Sequence, residues 1–134
     1  MVAGERTRDI EDLVILTLPA SSAYLSVLRT LTAGLAAQLD FTLDEIEDLR
    51  IAVDEACAML VIDAAPDADV TCRFQLESSL IRVDVAARSN TTRLPARDTF
   101  GWTVLSALVG EVDVTSDEND NVTIRLIKRR DKLS

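Results

Sequence analysis

Few side chains in this sequence could carry out chemistry. The 134 residues include no histidine, which excludes imidazole as a general base, as the activator of a nucleophile and as a metal ligand. The two cysteines, Cys57 and Cys72, are too far apart for a Cys-x-x-Cys motif and too few for a zinc site. We interpret them as free thiols packed in the interior, with a redox switch as the alternative.

Glu55 is the carboxylate in the best-defined setting. It lies in the sequence VDEAC of a helix that we predict from Thr42 to about residue 64. This helix opens with a capping box, in which the Thr42 hydroxyl accepts a hydrogen bond from the Glu45 amide and the Glu45 side chain reaches back to the Thr42 amide. Met59 follows Glu55 by four residues, so both side chains lie on one face of the helix.

Apolar periodicity and turn residues predict the other elements. A buried strand at Leu13–Leu18 precedes a helix that begins at Ser21 or Ser22 and ends near Leu39, with leucines on one face. After the Glu55 helix the pattern predicts two alternating strands, a loop over residues 88–98, a short helix that stops at Gly110, and a final hairpin. The predicted bounds are 70–76 and 80–86 for the two strands, 100–109 for the helix, and 111–115 and 122–127 for the hairpin.

The order β-α-α-β-β-α-β-β predicts a two-layer α/β sandwich, with three helices on one face of a mixed sheet. Residues 12–128 form its single domain. Residues 1–11 are predicted to be a flexible N-terminal segment, and residues 129–134 a frayed C-terminal tail.

Composition and charge narrow the class of function. A net charge of −9 argues against direct nucleic-acid binding and suits attraction to a basic partner. No apolar run reaches the ~18 residues of a membrane-spanning helix, and the polar N-terminus has no apolar signal core. We therefore expect a cytoplasmic protein with no membrane contact.

The segment AQLDFTLDEIEDLRIAVDEACAMLV, which ends at Val61, resembles the N-terminal half of the RsbW/SpoIIAB anti-sigma factors. These are small serine kinases of the GHKL ATPase superfamily. The resemblance is carried by the aspartate before a capped helix, Asp40, and by the sequence VDEAC, and the predicted element order matches over about residues 11–128. It implies the GHKL (histidine-kinase-type ATPase) fold.

The resemblance also implies a nucleotide site, and most of its groups are missing. Glu55 stands at the family's general base, but Met59 replaces the asparagine whose oxygen binds Mg²⁺, and a thioether is a poor ligand for that hard cation. Ala87 and Ser89 stand at the aspartate and first glycine of an Asp-x-Gly-x-Gly motif. Alanine offers the adenine amino group no acceptor, so base recognition is lost.

The remaining part of the implied site lies at the last helix. The family's Gly-x-Gly is here Thr99-Phe100-Gly101, so only Gly101 is retained. Trp102 is expected to be a core residue or to cover the groove. The loop at residues 88–98, with Asn90 its only asparagine, is too short to act as the family's mobile lid over ATP. We expect Glu55 to be vestigial and the chain to hold no metal and no cofactor.

The resemblance also implies a binding surface, and its residues are retained in this sequence. In the family, the first helix takes the sigma factor, and an exposed arginine on it also meets the competing anti-anti-sigma protein. Arg29 falls at that position. A guanidinium offers a fixed fork of donors to a partner carboxylate, and arginine is frequent among interface hot spots. The alternative is an ordinary solvated helix arginine.

Three functions follow as hypotheses. The first is a non-kinase anti-sigma factor, a homodimeric binding module that sequesters an alternative sigma factor and is released by a STAS-type anti-anti-sigma protein. The second is an active Mg-ATP-dependent serine kinase that phosphorylates that antagonist, with Mg-ATP as cofactor. The third is a relative in fold alone, with an unrelated ligand-binding role. The missing nucleotide groups favour the first.

Overall fold

The computed structural model describes residues 12–91 and 94–131, and its elements follow the predicted order. The elements are β1 (Asp12–Pro19), α1 (Leu25–Gln38), α2 (Leu43–Ile62), β2 (Asp69–Leu76), β3 (Leu80–Arg88), α3 (Phe100–Val109), β4 (Gly110–Ser116) and β5 (Asn121–Arg129). A single 3₁₀ turn, Ser22–Tyr24, precedes α1, and the Ser21 hydroxyl caps it. The α/β architecture is confirmed, while the segment 1–11 lies outside the described residues.

The five strands form one sheet in the order β1-β2-β3-β5-β4. All four pairings between these described strands are antiparallel, so the prediction of a mixed sheet is wrong. The reason lies in the connections. Two helices, not one, separate β1 from β2, so this connection is not the single-helix crossover that makes neighbouring strands parallel. β3 and β4 do run parallel to each other, but β5 lies between them.

One face of the sheet carries the core. Alternate residues of β2, β3 and β5 are buried against the helices, including Cys72 on β2, which packs in the same cluster as Cys57 of α2. The interpretation of both cysteines as free buried thiols is confirmed. Burial raises the pKa of the Cys57 thiol to about 11 and that of Cys72 to about 12, so both remain protonated and poorly nucleophilic at neutral pH.

The first strand differs from its prediction. β1 lies at the edge of the sheet, and none of its residues is fully buried. Leu13 and Ile15 each keep 50% of their surface exposed on the face that no described helix covers. The prediction of a buried strand is therefore wrong, because a short apolar run does not distinguish an edge strand from a central one.

Capping residues set the helix boundaries, and the sequence predicts those at the start of α2 and at the end of α3. The Thr42 amide donates to Glu45 Oε1 at 2.7 Å and the Glu45 amide donates to Thr42 Oγ1 at 3.1 Å, so the capping box is confirmed. The Trp102 amide donates to Thr99 Oγ1 at 3.2 Å, which caps α3. Gly110 ends α3 at φ 97°, a left-handed conformation that residues with a Cβ rarely adopt.

The C-terminal segment is ordered further than predicted. Arg129 is the last residue of β5, and the Arg130 amide donates to Ser79 O at 2.8 Å. An Nη group of Arg130 donates to Leu39 O at 3.3 Å, and the Asp131 amide donates to Glu45 Oε2 at 2.5 Å. The predicted frayed tail at 129–134 thus includes residues that close the turn between α1 and α2. Residues 132–134 lie outside the described chain.

Glu45 joins the start of α2 to the C-terminal segment. Although burial alone would raise the pKa of its carboxyl, hydrogen bonds from the backbone amides of Thr42 and Asp131, from the Thr42 hydroxyl, and the charge of Lys128 together hold the pKa below its ordinary value. A carboxyl whose pKa is lowered by folding stabilises the native state above its unfolded pKa. That stabilisation is lost as the pH falls through the folded pKa.

Replacing Glu45 with glutamine tests this junction. We expect Glu45→Gln to lower the free energy of unfolding at pH 7 by about 1–2 kcal/mol, because an amide cannot accept from both backbone amides as well as a carboxylate does. Urea unfolding at pH 7 and near pH 3 measures it, and the difference from wild type should shrink at the lower pH. Asp44→Asn, on the same first turn, is the matched control and should cost only a few tenths of a kcal/mol. A Glu45→Gln deficit that does not change with pH contradicts the account.

Candidate functional site

α2 packs between the other two helices, and successive residues on it face opposite neighbours. On one side, Asp54 Oδ1 lies 3.5 Å from Arg29 Nε of α1. On the other side, Glu55 and Met59 lie against the first turn of α3. A methyl group added at Gly101 would approach Glu55 Oε2 to 2.9 Å and the Met59 sulfur to 3.6 Å. The helix therefore separates the candidate partner residue from the candidate nucleotide residues.

The residues assigned to the nucleotide site do lie together. Met59, Ala87 and Ser89 line a single cavity, with Leu60, Asp63, Pro95 and Val122 completing its wall. The cavity has a volume of about 10 Å³, which is close to the minimum for one water molecule. In this conformation the space enclosed by these seven residues is too small for adenine.

Ala87 lies inside β3, whereas the sequence predicted that it follows the strand. It pairs with Val70 on β2 and with Val122 on β5, and it is only 4% exposed. Its methyl group is a core contact, and it carries no polar atom that could reach a base. The predicted end of β3 at residue 86 was too early, because the alternation of buried residues continues to Ala87.

Ser89 and the residues after it tie the following loop to the end of α2. The Ser89 amide donates to Asp120 O at 2.8 Å, and its hydroxyl donates to Asp63 O at 3.3 Å. The Asn90 amide also donates to Asp63 O, at 2.7 Å. Asn90 therefore supports the loop through its backbone. Ser89 stands where the family resemblance implies the first glycine of the Asp-x-Gly-x-Gly motif. In this chain it belongs to a hydrogen-bonded turn.

Arg97 holds the second half of the same loop in place. Its guanidinium lies 4.8 Å from the centre of the Trp102 ring, and its Nη2 donates to Asp113 Oδ1 at 2.8 Å. The hydrogen bond from Arg97 also lowers the pKa of the Asp113 carboxyl. Because Trp102 is buried in α3 and Asp113 lies on β4, the loop is attached to two elements, with Pro95 directed at the cavity. Trp102 is a core residue, as predicted.

Sequence reasoning missed Arg97, because its partners Trp102 and Asp113 lie on different elements and no residue spacing predicts these contacts. It also missed Asp54. Arg29 was expected to be exposed, and its side chain is 39% exposed with the Asp54 carboxylate beside it. The exposure of Arg29 is thus partial. An acidic residue on the neighbouring helix was the available signal, but it could be paired with Arg29 only once the packing of α1 on α2 was known.

Glu55 retains a position at the N-terminal end of α3. Its carboxylate is half buried against Gly101, where the dipole of the helix favours negative charge. The described chain records no hydrogen bond to this carboxylate, and it contains no group of three or more His, Cys, Asp or Glu residues able to hold a metal ion. Within the described ranges, no helix is long and apolar enough to cross a membrane.

The fold has a counterpart among solved structures. It superposes on a Mycobacterium tuberculosis protein that contains RsbU and RsbW domains, with a TM-score of 0.73 and 19% sequence identity, over 92% of this chain and 34% of that one. At this identity the likeness shows the fold alone. Together with the three helices on one face of an antiparallel sheet, it shows an α/β fold that is consistent with the GHKL fold implied by the resemblance.

Sequence comparison narrows the class. The chain is 34% identical to anti-sigma-F factor RsbW of Mycobacterium tuberculosis over 104 residues, which are 78% of this chain and 62% of the relative. It is 29% identical to serine-protein kinase RsbW of Bacillus velezensis over 138 aligned residues, which are 87% of this chain and 85% of that protein. No protein-family model matches. Over most of its length the chain is similar to proteins named RsbW.

Proposed function

We propose that this chain is an anti-sigma factor that sequesters an alternative sigma factor by protein–protein binding, without kinase activity. In this proposal a STAS-type anti-anti-sigma protein releases the sigma factor by competing for the same surface, and all three proteins meet in the cytoplasm. The names of the relatives support the anti-sigma role. The chain spans only 62% of the length of the mycobacterial relative, so its activity and partners are stated as proposals.

The observation that carries the proposal is the filled nucleotide site. Catalysis by the kinase route requires an oxygen ligand for Mg²⁺ and room for a nucleotide, whereas Met59 offers a thioether and the cavity it helps to line has a volume of about 10 Å³. Glu55 alone favours the kinase alternative, and the Bacillus velezensis relative bears the name of a serine-protein kinase. A general base cannot support phosphoryl transfer when no phosphoryl donor is bound. We therefore favour the binding function.

Charge on the helical layer suits a partner-binding surface. α2 carries six acidic residues, of which Glu45 is buried, and one basic residue, while Arg29 is the one charged residue of α1. Such a surface attracts a partner that is basic overall and speeds its association. Arg29 is the exception within this acidic surface and is suited to one carboxylate on the partner.

Reversing the charge of Arg29 tests this placement. Purified alternative sigma factors of the source organism are titrated one at a time against the chain, by calorimetry in nucleotide-free buffer. We expect one of them to bind, and Arg29→Glu to weaken that complex at least tenfold, or by about 1.4 kcal/mol, while the melting temperature falls by no more than a few degrees.

Arg50→Glu is the matched control, because Arg50 is a second helix arginine that is ion-paired to a neighbour on its own helix, Glu47. It should reduce binding much less than Arg29→Glu does. An equal loss from both variants would mean that Arg29 contributes only general charge. If no sigma factor binds the wild-type chain, the third hypothesis, a relative in fold alone, is the one that survives.

We also propose that the chain forms a homodimer through the uncovered face of its sheet. A row of alternating charges crosses this face, with Arg73 opposite Asp84, Asp84 opposite Arg125, and Arg125 opposite Asp113. When the same face of a second copy packs on this row about a twofold axis perpendicular to the row, the order of the charges is reversed. Every arginine then faces an aspartate of the other copy. Such self-complementarity is what a twofold interface requires. The exposed Leu13 and Ile15 add apolar surface beside it.

Light scattering after size exclusion measures the dimer. We expect the molar mass of a dimer for the wild-type chain and a shift toward monomer for Arg73→Asp, which sets two carboxylates opposite each other across the twofold axis. Ile15→Glu should act in the same direction, whereas Ile62→Glu, an exposed isoleucine on α2, should leave the dimer intact. A wild-type chain that stays monomeric at all concentrations contradicts this interface.

A further inference from the structure

The ion pair between α1 and α2 has a geometry that suggests a role in partner binding. We propose that Asp54 is a positioning residue for Arg29: its carboxylate holds the Nε side of the guanidinium in the groove between the helices, so that the two Nη groups face a carboxylate of the partner. This inference rests on the proposed function and adds a second residue to the binding surface.

The contact is directional. Arg29 Nε and Asp54 Oδ1 lie 3.5 Å apart, and both atoms are shielded from solvent without a hydrogen bond. The Arg29 side chain as a whole is nevertheless 39% exposed. Because Nε contributes almost none of that area, the exposed part lies on the other atoms of the side chain. The described chain records no hydrogen bond from either Nη group of Arg29.

Another arginine of the same chain shows the contrast. Arg125 donates from Nε to Asp84 Oδ1 at 2.8 Å and from Nη2 to Asp84 Oδ2 at 2.9 Å. That bidentate pair uses two donors of the guanidinium fork on a carboxylate within the chain. The Arg29–Asp54 contact at Nε is longer, and within the described chain no hydrogen bond from the Nη groups of Arg29 is recorded, so these donors remain for a partner.

Stabilisation of the fold is a poor explanation for the Arg29–Asp54 pair. Partly exposed ion pairs contribute little to stability even at good geometry, and this one lacks a hydrogen bond. A shielded Nε without an acceptor is itself unfavourable. The consequence that remains is orientation. An arginine that is already held before binding loses less side-chain freedom in the complex, which is expected to improve affinity by about twofold to tenfold.

The test combines binding with a measurement on the free protein. In the chain without partner, the ¹⁵N–¹H signal of Arg29 Nε should be resolved and slow to exchange with water, and Asp54→Ala should move it and speed its exchange. Against the sigma factor that the wild-type chain binds, Asp54→Ala should raise the dissociation constant about fivefold, while Asp54→Glu, which keeps a carboxylate, should recover part of the loss.

The double variant separates positioning from a general loss of charge. In the Arg29→Ala background, Asp54→Ala should cause no further loss, because there is no guanidinium left to hold. Glu47→Ala, which removes the acid paired with Arg50 on the same helix, is the matched control: it should weaken binding much less than Asp54→Ala does and should leave the Arg29 signal unchanged.

The outcomes distinguish the two levels of the proposal. If Arg29→Ala weakens binding and Asp54→Ala does not, or if their effects add, the positioning role is overturned while the binding surface stands. If Arg29→Ala itself has no effect, the surface is placed wrongly. If the wild-type chain binds no sigma factor, the proposed function fails, and an Arg29 Nε signal that Asp54→Ala leaves unchanged overturns the positioning role independently.

Discussion

The packing of α2 between α1 and α3 is the constraint on which the rest of the molecule depends. Its inner face is buried on the sheet through small and branched side chains, among them Ala52, Val53 and Ala56. Because the helix is fixed there, Asp54 must face α1 and Glu55 must face α3. The capping box at Thr42, joined to the C-terminal segment through Glu45, sets where this helix begins. One helix therefore determines the geometry of both candidate surfaces.

The two sides of α2 differ in what they offer a ligand. On the α3 side, internal contacts occupy the implied nucleotide site: Met59 and Pro95 line a cavity of about 10 Å³, Arg97 ties the loop to Trp102 and Asp113, and the Glu55 carboxylate lies at the start of α3. On the α1 side, a guanidinium remains partly exposed within an acidic surface. This asymmetry is the physical basis for preferring binding over catalysis.

Much of the fold could be predicted from the sequence because its signals are local. The capping box of α2, the Thr99 cap and Gly110 stop of α3, and the alternation of β5 each depend on residues close together in the chain. The errors concern contacts between distant segments: the exposure of edge strand β1, the antiparallel course of the whole sheet, and the hydrogen bonds of Arg130 and Asp131. The Arg97 and Asp54 contacts belong to the same class. Sequence reasoning brought Met59, Ala87 and Ser89 to one site through resemblance, and periodicity alone could not have joined them.

The central claim, partner binding by a chain that needs no nucleotide, is tested most directly by one calorimetric experiment. Mg-ATP is titrated to millimolar concentration into the free chain and into its complex with the sigma factor. The account predicts no saturable heat and the same sigma-factor dissociation constant with and without Mg-ATP. Saturable binding of Mg-ATP would contradict it, because a cavity of about 10 Å³ cannot hold a nucleotide. A ligand present at 100 times its dissociation constant would also stabilise the fold by about 2.7 kcal/mol.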